Sequence, residues 1–169
     1  MDTDRRDYLR ARYLSLGWGE ATAAAVFVGV AAWTIPDAFA SDAVVAIWWA
    51  MAPLLVVLVQ AAVYWLIARS WVEAAVMPRR LAQVYRAFSV INVILLLIAA
   101  AMIATHWPSV TADAVVVVLV WLLGVVEHTN YFVVRLAYRR RWWTRVRTWR
   151  RPQLRQDVDA ALRIASSGA

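Results

Sequence analysis

Residues 113 to 135 read Asp-Ala-Val-Val-Val-Val-Leu-Val-Trp-Leu-Leu-Gly-Val-Val-Glu-His-Thr-Asn-Tyr-Phe-Val-Val-Arg. From Ala114 to Val126 the run carries no charge. At 1.5 Å rise per residue the whole stretch is about 34 Å long as a helix, enough to cross a hydrocarbon core of about 30 Å. The densest polar cluster in the chain lies inside the same segment: Glu127, His128, Asn130 and Tyr131. An acid at that depth is by default a functional-site hypothesis.

Composition agrees with a membrane reading. The chain has 169 residues, is 63% hydrophobic and has a mean hydropathy of +0.58, well above the apolar share of a soluble domain. With no cysteine, disulfide frameworks, thiolate metal sites and cysteine nucleophiles are excluded. Two histidines, His106 and His128, do not make a histidine-rich metal centre. No cofactor is expected. The net charge of +7 says less than its distribution, as in any membrane chain.

Working outward, three further apolar spans are expected at about residues 18 to 35, 44 to 68 and 87 to 105, with the fourth at 114 to 135. Residues 1 to 17 mix Asp and Arg with Tyr8, Leu9, Tyr13 and Leu16, the pattern of a cytoplasmic amphipathic segment lying on the surface. Gly17 to Gly19 opens the first span, and Pro36 with Asp37 closes it. Ala21, Ala25 and Gly29 recur every fourth residue within it, a small-xxx-small stripe suited to close helix approach. Ala38-Phe39-Ala40 before Ser41 also has the small-x-small form of a signal-peptidase site. The long leading region and an apolar run at the upper limit for an h-region favour an uncleaved span.

The second span carries Trp48 and Trp49 near one end and Tyr64 and Trp65 near the other, as expected of interfacial aromatic belts. Its Pro53 reads as a tolerated kink. Residues 69 to 86 form a longer connection, and His106-Trp107-Pro108-Ser109 turns the chain into the fourth span. All 18 basic residues are arginines, confined to 5 to 12, 69 to 86 and 135 to 163, while loops 36 to 43 and 106 to 113 contain none. The expectation is a multi-pass protein of the cytoplasmic membrane with both termini cytoplasmic. Its fold class is an all-α antiparallel bundle of four transmembrane helices with amphipathic cytoplasmic terminal segments.

Residues 138 to 169 form a basic tail. Arg139, Arg140, Arg141, Arg145, Arg147, Arg150 and Arg151 alternate with Trp142, Trp143 and Trp149. Such a segment suits anionic lipids of the inner leaflet, where each basic side chain contributes about 1 kcal/mol. Single-stranded nucleic acid is a rival use of the same residues; a tail pinned to headgroups is the simpler one. Leu154, Val158, Ala161 and Leu162 then mark a short amphipathic helix.

Counted inward from the cytoplasmic boundaries, Gln60, Asn92 and Glu127 all lie roughly 9 to 11 Å deep. Gly124, Glu127, Tyr131 and Val134 share one helix face, which directs Glu127 toward a close neighbour. The candidate intramembrane polar site is therefore Gln60, Asn92, Glu127, Asn130 and Tyr131, with Glu20 and Arg135 able to neutralise or compete for it. His128 sits about 100° around the helix. One reading is interhelical glue, worth about 0.6 kcal/mol per hydrogen bond. The sharper one is a protonatable or cation site centred on Glu127. An embedded hydrolase lacks its parts, since no Ser-His or paired-Asp constellation falls at matching depth. The leading functional expectation is a non-enzymatic accessory or interaction protein acting through membrane partners, anionic lipids or a second copy of itself. A small proton- or cation-coupled transporter is the alternative.

Overall fold

The computed structural model describes residues 3 to 73, 75 to 134 and 151 to 167. These are helical, with no strand: α1 Thr3–Ala38, α2 Ala43–Ala68, α3 Arg79–Thr105, α4 Thr111–His128 and α5 Gln153–Ser167, with a π-helical turn Thr129–Val133 continuing α4. Four of them are long and apolar enough to cross a membrane.

Several boundaries differ from the sequence reading, each for a physical reason. The amphipathic start and the first span form one continuous helix of 36 residues, about 54 Å long. Gly17 does not break it, because its missing side chain is what lets α1 lie against α2. A Cβ there would come within 2.7 Å of Leu66 Cγ and 3.2 Å of the Ala62 carbonyl oxygen. Pro36 falls in the last turn, where one lost backbone bond is tolerated, and α1 runs on to Ala38. Helix α3 begins at Arg79 rather than near residue 87, with Pro78 as its extended leading residue. A proline suits that position, since a helix start has no partner for its N–H. The connection between α2 and α3 thus shrinks to residues 69 to 78.

Helix α2 is the hub, packed against α1, α3 and α4. Half of its apolar window is buried, against 17 to 28% for the other three spans. Small residues make this packing close. On α1 the buried positions are Gly17, Ala24, Ala31 and Ile35; the first three are seven residues apart and Ile35 lies one turn beyond, which keeps one seam on α2. The stripe expected at Ala21, Ala25 and Gly29 is not that seam. Ala25 and Gly29 are exposed, and a Cβ on Gly29 would meet nothing within 4 Å. On α4, Gly124 faces the α2 backbone, where a Cβ would lie 3.3 Å from Leu54 N.

The bundle has two unlike ends. At the short-loop end the core is aliphatic, built from Ala31, Ile35, Ala46, Ile47, Ala50, Met51, Ile103 and Val117. Two carboxylates latch the loops there: Asp113 accepts from the Ala40 N–H at 3.1 Å, and Asp42 from the Ser109 N–H at 3.0 Å. The Ser109 hydroxyl and N–H hold the Asp42 carboxyl below the usual carboxylate range. At the other end the core is aromatic. Tyr64, Trp71, Tyr85, Tyr131 and Phe132 close around the apolar stripe of α5, with Leu154, Val158 and Ala161 buried among them.

Candidate functional site

Five residues were expected to form one intramembrane polar site, three of them at one depth; they fall into two arrangements on different sides of α2. Gln60 and Asn92 pair through both amides: Gln60 Nε2 donates to Asn92 Oδ1 at 3.1 Å, and Asn92 Nδ2 to Gln60 Oε1 at 2.7 Å. Asn92 is fully buried. The Gln60 carbonyl also accepts from the Tyr85 hydroxyl at 3.0 Å, so α2 and α3 are clamped by three bonds within two turns. Each amide supplies the donor that the other needs, so desolvation is repaid without any outside partner.

The other three residues gather beside α1. Around them the backbone changes register, with the Val134 N–H donating to the Thr129 carbonyl at 2.8 Å and the Thr129 hydroxyl to the Val125 carbonyl at 2.8 Å. This wider turn shifts the azimuth of Tyr131 and Phe132 relative to a regular α-helix. The buried Tyr131 hydroxyl donates to Glu20 Oε1 of α1. Its oxygen accepts from Trp65 Nε1 of α2 at 3.4 Å. Glu127, half-buried one turn earlier, is hydrogen-bonded by Asn130 and feels the charge of Glu20. Two carboxyl groups from different helices therefore flank one phenol and one amide. Such a group can share a proton or attract a cation. Arg135, the expected competitor, lies outside the described residues. His128 stands apart, buried and stacked on Phe132 with ring centroids 5.2 Å apart.

Of the basic tail, Arg139, Arg140, Arg141, Trp142, Trp143, Arg145, Arg147, Trp149 and Arg150 lie outside the described residues. Arg151 is exposed and pairs with Asp159 of α5 at 3.2 Å.

Sequence reasoning missed Asp157. One of its oxygens accepts from the Tyr64 hydroxyl at 2.8 Å and from Trp71 Nε1 at 3.1 Å. The other accepts from Gln153 Nε2 at 2.9 Å. Arg155 meanwhile donates to the Phe132 and Val133 carbonyls at 3.4 and 3.3 Å, where a cation suits the end of a helix. The signal was present, because Asp157 sits three residues after Leu154 and four before Ala161, within the apolar stripe. An acid on that face needs partners.

Among the described residues no group of three His, Asp or Glu side chains is placed to hold a metal ion. Comparison with family models, with curated proteins and with solved structures finds no match to this chain.

Proposed function

We propose that the chain is a non-enzymatic protein of the cytoplasmic membrane that acts at the inner leaflet through anionic lipids and membrane partners. Its four spans run up and down as an antiparallel bundle with both termini cytoplasmic. The observation that carries the reading is the belt of exposed apolar side chains on the outside of the bundle. Val26, Val30 and Trp33 on α1, Val90, Ile94 and Leu97 on α3, and Val115, Leu119 and Leu122 on α4 all face outward. A patch of that extent calls for lipid or a partner. Arginines gather beyond the α5 end of the belt, where the positive-inside bias puts the cytoplasm. A peptide of residues 138 to 151 should bind anionic vesicles strongly and neutral ones poorly. It should lose affinity as salt brings the Debye length below about 8 Å. Equal binding to neutral vesicles contradicts the polybasic part of this reading.

The carboxyl pair of Glu20 and Glu127 around Tyr131 favours a second reading, a proton- or cation-coupled transporter. Under it Glu127→Gln folds as well as the unsubstituted chain but abolishes pH-driven flux in liposomes, because an amide cannot release a proton. Unchanged flux in that variant removes the second reading.

A further inference from the structure

Where α1 begins and α2 ends, a shallow, open cleft of about 370 Å³ is lined by Arg10, Leu66, Ile67, Arg69 and Ser70. We propose that it binds one anionic phospholipid, the phosphate held by Arg10 and Arg69 and the first acyl carbons laid on Leu66 and Ile67. This rests on the membrane reading above but concerns other residues than those of the tail.

The first argument is unused donor capacity. Arg10 Nε donates to the Arg69 carbonyl at 3.3 Å, which fixes its guanidinium at the mouth of the cleft and leaves the terminal nitrogens for another acceptor. Arg69 Nε is shut off from solvent without an acceptor, as is Nε of Arg6, one turn before Arg10. Closed to solvent, those atoms are closed to a ligand as well, so contact with an anion falls to the terminal guanidinium nitrogens of Arg10 and Arg69. Among the described residues the ion pairs are Arg5 with Glu73 and Arg151 with Asp159, so neither cleft arginine is neutralised by a carboxylate there. The Ser70 hydroxyl is committed to the Ile67 carbonyl at 2.8 Å, which leaves recognition to the guanidinium groups. Their planar forks match phosphate oxygens.

The second argument is net field. The C-terminus of α2 presents about half a negative charge, which two full positive charges exceed by about 1.5. An anion is therefore attracted to the cleft despite the helix end. The third is place. The cleft lies where the apolar run of α2 stops at Ala68 and the first charge appears, the level at which lipid phosphates sit. Leu66 and Ile67 in its wall offer a surface to hydrocarbon that a free phosphate ion would not use. Gly17 holds the two helices together just beyond, against Leu66.

The test uses the full chain in a mild non-ionic detergent, with dioleoyl phosphatidylglycerol or phosphatidylcholine titrated in and bound lipids counted by native mass spectrometry. The wild type should retain one phosphatidylglycerol at concentrations where phosphatidylcholine is not retained, and excess inorganic phosphate should not displace it. Arg10→Gln/Arg69→Gln should weaken that binding about thirtyfold, from about fivefold for each arginine. Arg79→Gln/Arg80→Gln, exposed at the start of α3 and outside the cleft lining, should leave the retained copy in place. Circular dichroism checks folding, and if the double variant does not fold, the single variants carry the test at about fivefold each. Retention of the lipid by folded Arg10→Gln/Arg69→Gln overturns the proposal, as does equal retention of phosphatidylcholine or displacement by free phosphate. If the tail peptide binds anionic vesicles while the double variant keeps its lipid, this site alone is wrong. If neither the peptide nor the wild type selects anionic lipid, the wider reading falls with it.

Discussion

The two ends of the bundle use carboxylates in different ways. At the short-loop end, Asp42 and Asp113 accept from backbone N–H groups of the neighbouring loop, beside a core of small and aliphatic side chains. At the α5 end, Asp157 and Glu20 accept from aromatic side chains, Tyr64 and Trp71 for one and Tyr131 for the other. The Asp42 latch, on an exposed loop, can exchange its partner for water at little loss. A tyrosine hydroxyl in an aromatic core has no such recourse, since Tyr64 is fully buried. The loop end is thus closed by its turns, and the α5 end is closed by side chains that a distant segment must return to satisfy.

The contrast predicts where substitution is costly. Asp157→Ala leaves three donors, Tyr64, Trp71 and Gln153, without their acceptor and should lower stability in detergent by about 3 kcal/mol, whereas Asp157→Asn, with one oxygen kept, should lose about 1 kcal/mol. Limited proteolysis should release α5 from the alanine variant first. If both variants melt with the unsubstituted chain, α5 is held by its apolar stripe alone. At the other end Asp42→Asn should leave the melting temperature at neutral pH almost unchanged. Because the folded state holds the Asp42 carboxyl low, its latch is intact above the ordinary carboxylate pKa and is lost as pH falls through the depressed value. The asparagine variant should therefore flatten only the acid limb of a plot of melting temperature against pH. A drop at neutral pH as large as that of Asp157→Ala would erase the distinction between the ends.

Hydropathy was enough to locate the four long helices, because a span of about 20 apolar residues is a one-dimensional signal. What counting along a helix yields is depth; it does not reveal which neighbour stands at each azimuth. Gln60 and Glu127 were matched by depth, yet Gln60 turns to α3, while Glu127 shares its surroundings with Glu20 on α1. On α2, Gln60 and Trp65 are five residues apart and so about 140° around the axis, which is enough to serve separate neighbours. Low helix propensity at Gly17 does not decide its conformation, because packing against Leu66 does. The π-helical turn has no simple periodic signature, so the placement of Tyr131 against Glu20 required the structure. The docking of α5 was legible in part, through its stripe, while the acid inside the stripe was the overlooked sign.

Orientation is the claim on which the membrane account turns, since it decides which end meets the inner leaflet. The chain contains no cysteine, so single cysteines at Ser41, Ser109 and Ser166 can each be probed in intact cells with a membrane-impermeant thiol reagent. The account predicts labelling at Ser41 and Ser109, both exposed in the short loops, and none at Ser166 until the cells are opened. Labelling of Ser166 in intact cells, with Ser41 and Ser109 protected, would contradict it.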